Sequence, residues 1–275
     1  MGERTAILNV VGLTPRLLGA NTPRLNALVE QGGLTRVKPV LPAVTCTAQS
    51  TYLTGLAPSG HGCVANGWFD RELSEHHFWK QSNHVVHGKK LWERARERRP
   101  GFTCANLFWW YNMYSTADFS ITPRPMYPAD GRKFFDIYSW PYSIRTEIKQ
   151  ELGEFPFAGF WGPAAGVDSP QGRADCATRW IADSARWIEK KFQPTLNLVY
   201  LPHLDYNLQR RGPHHNLFRH RVLPDSNLFW SDSTSFRPSS TSFRQPDPRV
   251  SCYTLATPTA NKASPTDPSR AAAGG

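Results

Sequence analysis

Apolar and polar positions along the chain switch between two periods. Residues 6–11 form a short, mostly apolar run ended by Gly12, the pattern of a strand buried on both faces of a parallel sheet. The carboxyl end of that strand is expected to border a site. From Thr22 the spacing changes: Leu25, Leu28 and Val29 share one helical face, Thr22 is a natural N-cap, Pro23 fits the first helical position, and Gly32 and Gly33 supply the stop. Residues 34–40 predict a second strand, and after a turn at Pro42 the small polar stretch 45–54 predicts a helix. Residues 88–98 predict a helix with Leu91, Trp92 and Ala95 inward, and residues 102–109 a strand. Residues 174–192 place Ala177, Trp180, Ile181 and Ile188 at helical spacing, and residues 196–201 follow as a buried strand. Strand alternating with helix predicts a doubly wound α/β fold.

Near residue 214 this patterning stops. Residues 231–240 show no apolar period and are dense in Ser, Thr, Pro and Arg, so they bury too little apolar surface to offset the entropy of ordering. The expected organisation is one α/β domain over residues 1–213 and a disordered or frame-disrupted tail over 214–275. A chain of 275 residues that is 40% hydrophobic has ample material for the domain's core. Its net charge of +10 attracts anions, yet no basic run is interleaved with a nucleic-acid-binding module, so nucleic acid is not the expected partner. The five cysteines (Cys46, Cys63, Cys104, Cys176, Cys252) are odd in number and form no CxxC pair. Reduced thiols and an N-terminus without a signal-peptide pattern make the cytoplasm the expected location. No apolar stretch approaches the roughly 20 residues needed to cross a bilayer, and the sequence does not indicate an oligomeric state.

Open α/β sheets bind ligands at the carboxyl ends of their strands, and three motifs fall there. The first is Pro42-Ala43-Val44-Thr45-Cys46-Thr47-Ala48-Gln49-Ser50-Thr51-Tyr52-Leu53-Thr54-Gly55, followed by Pro58, His61-Gly62 and Asn66. It resembles the nucleophile motif of the type I phosphodiesterase/nucleotide pyrophosphatase family of the alkaline phosphatase superfamily. There a threonine at a helix start precedes Thr-Gly, Pro and His-Gly. The second is Tyr200-Leu201-Pro202-His203-Leu204-Asp205, continued by Gln209 and Gly212-Pro213. It is similar to the family's strand-end sequence, where an aspartate and a histidine four residues on bind one zinc before Gly-Pro. The third is Asn9-Val10-Val11-Gly12, where family members carry a metal-binding aspartate before the glycine.

The resemblance implies an alkaline-phosphatase-like, mostly parallel sheet flanked by helices, incomplete at the C-terminus. It also implies hydrolysis of phosphodiester or nucleotide pyrophosphate bonds in a small phosphate-ester or nucleotide substrate. Thr45 takes the nucleophile position and Asp205 that of a metal ligand, with a divalent metal, zinc, also holding the Thr45 oxygen. The chemistry is coherent: a hydroxyl at a helix N-terminus faces backbone N–H groups that stabilise a phosphoryl anion, and a weak alcohol nucleophile needs activation. The departures matter equally. Gln209 stands at the histidine position, Val11 at the aspartate position, and the family's later Asp-His-Gly segment has no match after Pro213. An amide is a poor zinc ligand, and a catalytic zinc takes three protein ligands.

His203 is a further candidate ligand, because residues two apart on an extended backbone share a side. Asn66 is a candidate substrate contact, as are Asn112 and Arg124. The aromatic run 108–114 suits either core packing or stacking on a nucleobase. Cys46, at a helix start, is an alternative nucleophile. A reading of a different class is a non-catalytic, truncated relative that binds an anionic ligand or partner without turnover.

Overall fold

The computed structural model describes residues 4–212, apart from 127, 163, 164, 170–172 and 174. Everything expected of the tail beyond Gly212 lies outside the described residues. In chain order the elements are β1 (Thr5–Val10), α1 (Pro23–Gly32), α2 (Thr45–Thr54), α3 (Pro58–His61), β2 (Gly67–Asp70), β3 (Glu75–Phe78) and α4 (Leu91–Arg98). Then come β4 (Cys104–Leu107), β5 (Phe119–Met126), β6 (Phe134–Trp140), α5 (Ser143–Leu152), α6 (Ala158–Trp161), α7 (Cys176–Phe192), β7 (Leu196–Leu201) and α8 (His203–Arg211).

The main sheet has the order β1-β7-β4-β5-β6, parallel except for the antiparallel β5–β6 pair. β7 and β4 lie in the middle, and every residue of both is buried, which is why they read as mostly apolar runs interrupted only by Asn106 and Asn197. β1 pairs with β7 from Thr5↔Leu196 to Val10↔Leu201, so the first and last strands of the described chain end side by side. α7 covers one face of the sheet through Ile181, Ala182, Ala185 and Ile188, all buried in the main core. Fully burying each isoleucine stabilises the fold by roughly 1.5–3 kcal/mol.

In α4, Trp92 is buried as expected, but Leu91, expected inward, is 39% exposed because it is the first residue of the helix, and two other elements also depart from the sequence expectation. Residues 34–40 pair with no strand among the described residues, and Leu34 and Val37 are each 51% exposed. Their β-branched and apolar content had no neighbouring strand to meet. The pair β5–β6 was hidden by Pro123 and Pro125. β5 is flanked by β4 only over residues 119–121, so both prolines sit where one edge of the strand has no ladder to break.

Candidate active site

α2 starts at Thr45 because Pro42 turns the chain and Val44, extended at φ −119°, enters the helix without a side-chain cap. The first amides of this helix are therefore left for other partners. The Cys46 N–H donates to Asn66 Oδ1 at 3.0 Å, which fixes the Asn66 side chain across the helix start. Its Nδ2 has no protein acceptor among the described residues, leaving two donors beside Thr45.

The far end of α2 is pinned by the His-Gly part of the motif. His61, fully buried, lies 2.9 Å from Thr51 Oγ1 through Nε2, and its Nδ1 accepts the Cys63 N–H at 3.1 Å. An Nδ1 that accepts leaves the proton on Nε2, which donates to Thr51. Burial pushes the imidazole below its usual value, so the neutral ring is the resident form. His61 thus holds the helix rather than a ligand.

β7 brings the second motif to the same place. Tyr200, the penultimate residue of β7, is buried, and that burial raises its phenol, with the Asp205 carboxylate adding to the shift and the Thr45 side chain opposing it. α8 begins immediately after Pro202, so the His203–Asp205 stretch is helical, not extended. At 3.6 residues per turn, side chains two apart diverge by about 200°. His203 consequently does not join Asp205.

The helix divides into three faces. Leu204 and Leu208 pack with Leu13 in a small apolar cluster. Tyr206 sits against Gly166, Asn207 donates to Gly166 O at 2.6 Å, Arg210 donates to Ala165 O, and His203 lies near Asp175. Burial depresses His203 to about 4, with Asp175 partly offsetting the shift. Asp205 and Gln209 occupy the remaining face one turn apart, the Gln209 amide donating to the carboxylate. Burial raises the Asp205 pKa, and the Gln209 hydrogen bond partly offsets this.

Val11, at the position of the second carboxylate, is 5% exposed and offers only its N–H, which donates to Leu201 O at 3.1 Å. Gly12 follows at φ +82°, and a Cβ there would lie 2.5 Å from Leu208 Cδ1. Glycine is what lets β1 approach α8. Among the described residues no group of three or more His, Cys, Asp or Glu side chains gathers. Asp205, the Gln209 amide and the Thr45 hydroxyl do not fit a zinc pair, which needs about three good ligands per ion.

An aromatic wall adjoins the helix start. The Trp79 N–H donates to Asn66 O at 3.1 Å, and the Trp79 ring meets Trp110 edge-on at 4.7 Å. Trp110 is held by its own N–H donating to Gln49 Oε1 at 2.6 Å, and Trp161 continues the row at 6.4 Å. Trp79 and Gln49 carried no sequence signal of this role, because each depends on a pairing between separate segments, Trp79 with Asn66 and Gln49 with Trp110. Asn112 is fully buried and donates to Asn106 O and Ile121 O, so it is a packing residue, not a phosphate contact. Arg124 sits on β5, exposed, at the register position of Asp136 on β6. The Cys46 thiol is fully buried and pushed far above its usual pKa by that burial, which rules it out as the nucleophile.

The fold is alkaline-phosphatase-like, a mostly parallel sheet flanked by helices. Alkaline phosphatase PafA superposes with a TM-score of 0.54 at 12% identity, covering 78% of this chain and 55% of its own. Phosphonoacetate hydrolase from Sinorhizobium meliloti 1021, in complex with phosphonoformate, gives 0.51 at 12% identity, covering 82% and 51%. Murine ectonucleotide pyrophosphatase/phosphodiesterase 5 gives 0.49 at 16% identity, covering 78% and 48%. The chain thus spans about half the length of these solved structures. No curated protein sequence matches it. The family profile described as type I phosphodiesterase/nucleotide pyrophosphatase matches residues 5–223, and the chain belongs to that family.

Proposed function

We propose that the site binds a phosphate ester at the N-terminus of α2, with Thr45 as the attacking group, and that its chemistry is hydrolysis of phosphodiester or nucleotide pyrophosphate bonds. The observation that carries this reading is the helix start itself: an uncapped α2, the Cys46 N–H tied to Asn66 at 3.0 Å, and a hydroxyl at the first helical position. Backbone dipoles and the Asn66 amide there favour an anion placed against Thr45. The tryptophan wall beside Asn66 suits an aromatic group on the ester, so a nucleotide or aryl ester is the substrate class.

In the family a divalent metal, zinc, would polarise the phosphoryl oxygens and hold the nucleophile; here Asp205, Gln209 and Thr45 are the groups at those positions. Their poor fit to zinc favours a second reading, in which the chain binds the ester and turns it over slowly or not at all. Hydrolysis of bis(p-nitrophenyl) phosphate with zinc or manganese, set beside AMP binding by calorimetry, separates the two. Turnover abolished by Thr45→Ala supports the hydrolase. AMP binding with no turnover supports the non-catalytic relative. Neither binding nor turnover refutes both.

A further inference from the structure

We infer that Gln49 is a positioning residue for the aromatic group of the ester: it ties the tryptophan wall, through Trp110, to the face of α2 that carries Thr45. The inference rests on the reading above, in which Thr45 attacks an ester whose aromatic group lies on that wall.

Gln49 follows Thr45 by one helical turn, so the two side chains stand one above the other on α2. Gln49 is 2% exposed, and its Oε1 accepts the Trp110 N–H at 2.6 Å. From there the contacts form a closed circuit. The Trp110 indole N–H donates to Lys80 O at 3.0 Å, and the Trp110 ring meets Trp79 at 4.7 Å. The Trp79 N–H donates to Asn66 O at 3.1 Å, and Asn66 Oδ1 accepts the Cys46 N–H, which returns the circuit to the first turn of α2. Both ends of a bound ester are thereby referred to one helix: the phosphoryl group through Cys46 and Asn66, the aromatic group through Gln49 and Trp110.

Trp110 is only 4% exposed, so it braces the wall from behind, while half-buried Trp79 and Trp161, 39% exposed, carry the accessible ring surface. The segment that holds this brace needs an external anchor. Phe108, Tyr111 and Tyr114 take left-handed backbone at φ +64°, +54° and +59°, a conformation that bulky residues avoid and that persists only where the surroundings impose it. Residues 81–83 impose part of it: the Asn83 amide donates to Tyr111 O at 2.7 Å, and the Met113 N–H donates to Gln81 O at 3.1 Å. Those bonds fix the loop to a neighbouring loop. The Gln49 bond fixes it to the helix of the attacking group, and removing that acceptor strands a buried N–H that the loop must move to satisfy.

The test uses two esters that differ only in the base. AMP and ribose 5-phosphate are titrated by calorimetry into the native chain, Gln49→Met, Trp79→Leu and the double variant, with melting temperatures measured alongside. The expected result is a native preference for AMP, AMP binding about fivefold weaker in Gln49→Met with ribose 5-phosphate binding unchanged, and no further loss when Gln49→Met is added to Trp79→Leu. Gln49→Asn, which draws the amide back by one methylene, gives the same readout if Gln49→Met does not fold; failure of both to fold makes Gln49 a core residue and overturns the inference. Equal weakening of the two esters, an AMP preference kept in Gln49→Met, or a full additional loss in the double variant also overturns it and leaves the proposed function standing. Equal binding of the two esters by the native chain removes the aromatic subsite and the inference with it, while phosphate-ester binding stands. Binding of neither refutes the proposed function as a whole.

Discussion

The Gln209 side chain donates its amide to the Asp205 carboxylate one turn earlier on α8, at the spacing where the family carries an aspartate and a histidine. The amide satisfies the carboxylate without offering a lone pair of imidazole quality, so the pair is a closed hydrogen bond rather than half of a metal site. Gln209→His should open it. We expect zinc to raise the melting temperature of that variant by about 2–4 °C, equivalent to about 1 kcal/mol of linkage, and to leave the native chain unchanged. Thermal melts with and without zinc decide it, and equal stabilisation of both chains would show that other groups bind the ion.

Gly12 lets the end of β1 lie against α8. A Cβ at φ +82° is strained and would strike Leu208 Cδ1 at 2.5 Å. Gly12→Ala should cost about 1–2 kcal/mol and shift the helix that carries Asp205. Denaturant melts check the stability, and AMP titration of the folded variant checks whether the site moved.

His61 bonds through both ring nitrogens, so its removal strands a half-buried hydroxyl and a buried N–H. His61→Ala should destabilise by about 3 kcal/mol. The pH dependence has a definite sign. Burial lowers the folded-state pKa, so the stabilisation is complete above the ordinary histidine value near 6.5 and is lost as pH falls through the depressed one. Melting temperatures between pH 8 and pH 4 should show this decline in the native chain, and a shallower one in His61→Gln.

Cys46, Cys63 and Cys104 are fully buried, and burial raises all three thiols. Iodoacetamide should leave them unlabelled in the folded chain and modify them after denaturation, as peptide mass spectrometry would show. Labelling of Cys46 without denaturant would mean that the α2 start opens readily.

The ends of this site were legible in the sequence for different reasons. α2 was legible because a proline turn and a small polar helix start are local signals, and the structure places it at Thr45–Thr54; Thr45 itself stood out only through the resemblance to the family's nucleophile motif. β7 was equally plain, since a strand buried on both faces is mostly apolar, and the one amide within it, Asn197, finds a partner in Ala185 O. Trp79 was not legible, because its role arises from a pairing with Asn66 that no local pattern encodes. The helical geometry of His203 and Asp205 was misjudged as extended. Pro202 marks the end of a strand and the entry to a helix equally well, and packing of Leu204 and Leu208 on Leu13 favours the helix. Residues 34–40 had strand-like composition, but composition supplies no neighbour.

The pairing of β1 with β7 also sets an order of events during synthesis. Val10 meets Leu201, so the strand made first finds its partner only when nearly all of the described chain has left the ribosome. At cellular elongation rates of about 5–20 residues per second that delay is roughly 10–40 s. Through that interval the emerging N-terminal segment carries an unsatisfied strand edge. A chain stalled before Leu201 leaves it without its partner, a natural point of engagement for holdase chaperones.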